Sequence, residues 1–132
     1  MWIHMTVTKY QTTLRLLAVR DDALIRRVLS SDKANRAASR LDEKSYAFVR
    51  LGAMISIGAS VQSLRPIVEA ALRAGATPEE VVGTLVAVMP ATGVPRVVAA
   101  APAVGLSMGY DVMNALERLD ETPAAHAPKE PR

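Results

Sequence analysis

The sequence predicts an all-α protein, a compact helical bundle that assembles into an oligomer. Half of its 132 residues are apolar but only 4% are aromatic, so the core must be built from aliphatic side chains, which suit closely packed helices. Apolar residues recur at helical spacing, and no segment shows the alternation of a half-buried strand. We expect an N-terminal arm at residues 1–11, one helical domain at 12–119, and a disordered, proline-rich tail at 120–132.

The first predicted helix lies in "DDALIRRVLSS". Its apolar residues recur on one face, and Asp21 and Asp22 stand where acidic side chains favour a helix N-terminus. The following polar stretch, "SSDKANRAASR", is a connection, with or without a short helix.

A central helix is predicted in "LDEKSYAFVRLGAMISIGASV", with Asp42 as its cap. Residues 46–61 are apolar nearly all round, which is typical of a helix buried on most sides. Arg50 is the exception. It needs a carboxylate partner or a route to solvent, and its role is a structural ion pair or ligand binding.

The stretch "SVQSLRPIVEAALRAGATPEE" combines a helix, a stop and a new start. Pro66 fits the first turn of a helix, and Gly75 is the expected left-handed residue after its end. Thr77 is then the N-cap of the next helix, Pro78 its first residue and Glu80 the partner in a capping box.

Two apolar segments follow, and both are predicted to be buried helices. The first runs from Val81 to Met89 and is kinked or ended by Pro90; the second is bent at Pro102 and completed by residues 110–119. Arg96 and several prolines keep both below the roughly 18 to 20 apolar residues of a membrane span. We expect no membrane partner and, from "MWIHMTVTKY", no signal peptide.

Composition excludes several chemistries. The chain has no cysteine, which excludes disulfides and thiol catalysis and fits a cytoplasmic protein. Its two histidines, His4 and His126, lie in the terminal segments, so we expect no metal site and no cofactor. Residues 1–50 carry ten Lys and Arg against five acids. No aromatic side chains are interleaved with these basic residues to stack on bases, so we expect no nucleic-acid partner.

Three segments resemble the carboxymuconolactone decarboxylase and alkylhydroperoxidase D-like superfamily: "RLDEKSYAFVRLGAMISIGAS", "IVEAALRAGATPEEVVGTLVAVMPATGVPRVVAAAP" and "LSMGYD". The likeness spans roughly residues 14 to 118. It implies small helical bundles that form trimers or hexamers, and a cysteine-free subgroup resembles the chain most.

The redox branch of that superfamily carries Cys-x-x-Cys-x-x-x-His, with a glutamate in the preceding helix. The resemblance places the cysteines at Ser60 and Ser63, the histidine at Ile67 and the glutamate near Ala47, so every element is replaced. Since serine cannot form a disulfide, peroxidase chemistry is excluded, and the histidine and acids of the decarboxylase branch are not matched either.

The sequence therefore leaves several functions open, and whether the protein is an enzyme stays undecided. No catalytic residue is assigned; the candidate pocket residues are Tyr46, Arg50, Ser60, Gln62 and Ser63. They favour binding of a small aromatic or lactone-type molecule. The alternatives are a non-catalytic oligomeric scaffold and a divergent decarboxylase or lactone enzyme. The serines could instead cap a helix, and Tyr46 could be a core aromatic.

A homo-hexamer or homo-trimer is expected on physical grounds too. Several predicted helices are apolar over more than one face, while a chain of 132 residues can bury only one face of most of them. Closed symmetry would cover the remainder.

Overall fold

The computed structural model describes residues 9–120, and within that range the chain is all-α, as predicted. It divides into two units, with the boundary between Leu41 and Asp42. The described part of the first unit holds three helices: α1 (Lys9–Ala18), α2 (Asp22–Leu29) and α3 (Asp32–Ser39). The second holds five: α4 (Glu43–Ser56), α5 (Val61–Arg73), α6 (Pro78–Thr92), α7 (Val94–Ser107) and α8 (Val112–Asp120).

The predicted segment boundaries lie partly outside the described residues. Of the predicted arm, residues 1–8 lie outside and residues 9–11 form the first turn of α1. Of the predicted tail, Asp120 ends α8 and residues 121–132 lie outside. The single domain at 12–119 stays a prediction.

Short-range caps define the helices of the first unit. Asp21 caps α2 by accepting a hydrogen bond of 2.9 Å from the Leu24 amide, as its position in the sequence predicts. Ser31 accepts one of 3.0 Å from the Ala34 amide and starts α3, so the polar connection does contain a short helix. Among the described residues of this unit Leu24 alone is buried, at 6% exposure.

The central helix starts where predicted but ends earlier. Asp42 caps α4 by accepting from the Ser45 amide at 2.8 Å, and the Ser45 hydroxyl donates to the same carboxylate. These hydrogen bonds lower the pKa of Asp42. The prediction of a helix through Val61 is wrong, because the chain turns after Ser56 with Gly58 at φ +71°. Val49 is exposed, so burial on most sides was also overestimated.

The prediction that Pro66 lies in a first helical turn is wrong as well. Helix α5 begins at Val61, which places Pro66 well inside it. Ser60 explains this early start, because its side chain caps the helix and so satisfies an N-terminal amide. The hydrogen bond that proline cannot make would reach the carbonyl of Gln62; both residues are exposed, so water can replace it.

The connection between α5 and α6 is the one predicted. Gly75 follows the end of α5 at φ +95°, and the amides of Gly75 and Ala76 close the last turn in a Schellman arrangement. Thr77 and Glu80 then form a capping box around Pro78, with two reciprocal hydrogen bonds of 3.1 Å.

The last helices differ from the predicted ones in length. Helix α6 continues through Pro90 to Thr92, and the long segment after it is two helices rather than one bent helix. Helix α7 contains Pro102 and ends at Ser107, after which Gly109 takes φ +81° and Asp111 accepts from the Asn114 amide to start α8.

The core of the second unit is apolar and lies among α4, α5, α6 and α7. Helices α4 and α6 approach closely at Gly52, where a Cβ would lie only 3.1 Å from Val88 Cγ1. An ion pair of 2.7 Å between Lys44 and Glu80 joins the same two helices near their starts. The fully buried side chains at the centre are Leu51, Ile55, Leu64, Val68, Val81 and Val104.

Candidate functional site

Two of the predicted pocket residues, Ser60 and Ser63, form a hydrogen-bonded pair at the start of α5. Ser60 Oγ accepts from the Ser63 amide at 3.3 Å and donates to Ser63 Oγ at 3.2 Å. Both serines are exposed, as is Gln62 between them. Ser60 is therefore a helix cap, and the same geometry leaves the Ser63 hydroxyl proton free to point outward, because Ser63 Oγ is the acceptor in the pair.

The other two predicted pocket residues form a second pair on α4. The guanidinium of Arg50 lies over the ring of Tyr46, with Cζ 5.4 Å from the ring centroid. Both side chains are half-buried. A cation–π contact of this kind stabilises an arginine that is partly removed from water.

The two pairs lie toward opposite ends of α4. Tyr46 stands near the start of the helix and the serines follow its end; the ten residues from Tyr46 to Ser56 rise about 15 Å along the axis. The Arg50 side chain lies back over Tyr46, one turn toward the N-terminus and away from the serines. The structure thus pairs the predicted residues two by two, and Gln62 belongs with the serines.

Arg96, in the first turn of α7, is a candidate site residue that sequence reasoning missed. A Cβ at Gly58 would overlap Arg96 Nη1 and would stand 3.2 Å from its Cζ, so the guanidinium lies directly against the turn between α4 and α5. Gly58 precedes Ser60 by two residues, which places their Cα atoms within about 8 Å of each other. The sequence signal was present, since Arg96 is the one charge between two apolar helical segments.

Arg96 is exposed, and no carboxylate among the described residues forms an ion pair with it. The turn that joins α4 to α5 therefore presents a guanidinium, two hydroxyls and the first amides of α5. We call this group, Arg96 with Ser60 and Ser63, the turn site. Each of its groups interacts favourably with negative charge.

The positions that the resemblance gives to a histidine and a glutamate lie in the apolar core. Ile67 is 8% exposed and Ala47 is 4% exposed, and both belong to the core of the second unit. A proton relay through these positions has no polar group to use. Within residues 9–120, no three His, Cys, Asp or Glu side chains group in a way that could hold a metal ion.

The shifted carboxylates have structural roles. The pKa of Glu80 is lowered by the Lys44 ammonium, which donates to it, and by the Thr77 amide. Asp42 is an exposed cap and Glu80 a half-buried one, and their lowered pKa values keep them charged at neutral pH and unsuited to act as general acids. The turn site can bind and orient an anion, and the described residues give it no proton-transfer group.

The fold and this site define a class: a small α-helical protein with a cationic, hydroxyl-lined turn at the head of a core helix. The model of the carboxymuconolactone decarboxylase family matches residues 23–105, and the chain belongs to that family. No curated protein and no solved structure gives a match. None of the helices in the described range is long and apolar enough to cross a membrane.

Proposed function

We propose that the protein binds a small aromatic or lactone-type molecule that carries a carboxylate, and that it does so at the turn site without peroxidase activity. The observation that carries this proposal is the guanidinium of Arg96 against Gly58, in the turn that leads two residues later to the serine pair. An arginine without a carboxylate partner is suited to a planar carboxylate, which it can contact through two parallel hydrogen bonds.

The serines extend this recognition. The Ser60 hydroxyl donates a hydrogen bond to Ser63 Oγ, so the Ser63 hydroxyl can donate one to a ligand oxygen while Ser60 keeps capping α5. The exposed side chain of Ile57, in the same turn, offers an apolar surface for the ring of the ligand. Tyr46 and Arg50 stay in the proposal as a second pair at the other end of α4, where a ligand would stack on the ring or meet the guanidinium.

The absence of peroxidase activity is proposed on chemical grounds. The chain contains no cysteine, so no thiolate of this chain can attack a peroxide. The buried Ala47 and Ile67 give no support to the alternative of a divergent decarboxylase or lactone enzyme. The cysteine-free composition also supports a cytoplasmic location.

Ligand-induced thermal shifts test the binding proposal. We expect 4-hydroxybenzoate or 5-oxotetrahydrofuran-2-carboxylate to give a saturable rise in melting temperature, which Arg96→Gln and Ser63→Ala reduce. Arg73→Gln is the matched control, because it removes the same charge at the far end of α5. Equal shifts in all variants would overturn the assignment of the ligand to the turn site.

A second function, a non-catalytic oligomeric scaffold, is favoured by the exposed faces of α6 and α7. Val82 and Val86 are exposed one turn apart on α6, and Val94 and Val98 repeat that arrangement on α7, with Val86 and Val98 each 63% exposed. Surface stripes of this kind are typical of interfaces, and we propose that copies of this chain cover them in a homo-trimer or homo-hexamer. No response to any aromatic acid or lactone, together with a stable oligomer, would favour the scaffold.

A further inference from the structure

The first unit contains an open cleft that the proposed function does not use. Its volume is about 640 Å³, within the range of small-molecule sites. It is lined by residues of α1, α2 and α3 and by the residue directly after α3. We call it the N-terminal cleft; its described lining residues are Lys9, Thr12, Thr13, Leu16, Leu24, Arg27, Ala34, Ala37, Ala38 and Arg40.

The charged groups among the described lining residues of the N-terminal cleft are all cationic. They are Lys9, Arg27 and Arg40, and no described carboxylate lines the cleft. None of the three aspartates of the unit, Asp21, Asp22 and Asp32, lines the cleft. Asp21 caps α2, and Asp22 pairs with Arg26 at 2.8 Å outside the lining. The cleft thus collects positive charge that the unit does not neutralise by itself.

This charge is a property of the first unit and not of the whole chain. Residues 1–41 carry eight Lys and Arg against three aspartates, whereas residues 42–132 carry eight against ten acids. The net charge of +3 therefore arises from the unit that contains the cleft. A concentrated positive field raises the local concentration of small anions.

The remaining lining is apolar, with two hydroxyls. Leu24, the buried side chain among the described residues of the unit, lies at the cleft together with Leu16 and three alanines. Thr13 Oγ1 donates to the Lys9 carbonyl at 3.1 Å, and Thr12 stands beside it in the sequence. None of the described lining residues is aromatic, so this part of the lining offers no platform on which nucleic-acid bases could stack.

We propose that the N-terminal cleft binds an amphipathic carboxylate, with its head on the cations and its alkyl body on the leucines and alanines. A medium-chain fatty acid has this chemistry, and the cleft is distinct from the turn site in the second unit. The alkyl body is needed, because exposed cations alone bind a carboxylate weakly in water. Both parts of the lining therefore contribute to binding.

The test uses the full chain, isotope-labelled with 15N, titrated with octanoate and followed by amide chemical shifts. We expect saturable shifts in α1, α2 and α3. Arg27→Gln should weaken binding about tenfold, because charge-assisted hydrogen bonds to the head are lost. Arg26→Gln is the matched control: it removes the same charge from the same helix, outside the lining, and should change the affinity less than about twofold. Acetate and 1-octanol should each bind much more weakly than octanoate.

Three results would overturn the proposal: no saturable shift with octanoate, equal losses in Arg26→Gln and Arg27→Gln, or acetate binding as well as octanoate. The second would indicate general attraction to the basic surface. Arg96→Gln separates this test from that of the turn site, since it should leave octanoate binding to α1–α3 unchanged. The two tests therefore distinguish failure of the N-terminal cleft proposal from failure of the turn site proposal.

Discussion

Replacing Gly75 by alanine or valine should destabilise the protein through the backbone alone. Gly75 has φ +95°, and a Cβ built there would meet no heavy atom within 4 Å. Steric overlap with neighbours therefore contributes nothing, and the cost is that of placing an L-residue in a left-handed conformation. We expect about 1 to 2 kcal/mol for Gly75→Ala and about 1 to 3 kcal/mol for Gly75→Val, whose branched Cβ adds strain.

Gly83→Ala is the matched control with the opposite sign. Gly83 lies inside α6, without a positive φ, and its Cβ would also meet nothing within 4 Å. Alanine there should stabilise the protein by about 0.5 to 1 kcal/mol, because it reduces the conformational freedom of the unfolded chain. The two alanine variants should therefore differ by about 1.5 to 3 kcal/mol, although both add one methyl group in open space.

Urea denaturation followed by far-ultraviolet circular dichroism measures this difference. The midpoint should fall for the Gly75 variants and rise for Gly83→Ala, while the slope of free energy against urea stays constant. If Gly75→Ala were as stable as Gly83→Ala, the left-handed helix end at Gly75 would be refuted. A changed slope would show instead that the unfolded state or the cooperativity of unfolding had changed.

Three further predictions concern charge, chemistry and assembly. The lowered pKa of Glu80 stabilises the fold above the ordinary glutamate value of about 4.3, and this contribution is lost as pH falls through the lowered value. The melting temperature of Glu80→Gln should thus fall less than that of the wild type between about pH 6 and pH 3. Metal-free protein should not consume alkyl hydroperoxide above a protein-free blank, and measurable turnover would contradict the absence of a thiol mechanism. Light scattering should give three or six times the chain mass of 14.1 kDa, and a mass near one chain would refute the oligomer.

The features that the sequence predicted well are those decided within a few residues. Asp42, Gly75 and the capping box of Thr77 with Glu80 all act over three to five positions, so residue types and spacing were sufficient. The position of Pro66 was misjudged because two helix starts competed. The Ser60 cap begins α5 earlier than a proline-initiated helix would begin.

The candidate site was predictable only in part. Ser60 and Ser63 are neighbours because the first turn of a helix makes them so, which spacing alone implies. Arg96 reaches Gly58 through the packing of α7 against the rest of the second unit, and a residue pattern does not encode which distant turn a side chain will meet. The separation of Tyr46 from the serines follows from the length of α4, because Tyr46 stands near the start of that helix and the serines follow its end.

The serine pair has a consequence for redox engineering. Ser60 Oγ and Ser63 Oγ are 3.2 Å apart, so sulfur atoms at these positions would need only a small rotation to reach the bond length of a disulfide, about 2.05 Å. The start of α5 and the guanidinium of Arg96 would both favour a thiolate there. With an added oxidant such as oxidised glutathione, a Ser60→Cys, Ser63→Cys chain should therefore form a disulfide whose reduced form holds an acidic thiol, yet Ile67 would give it no proton donor. The surroundings that we propose to bind a carboxylate at this turn are those that would hold a sulfur there in its thiolate form.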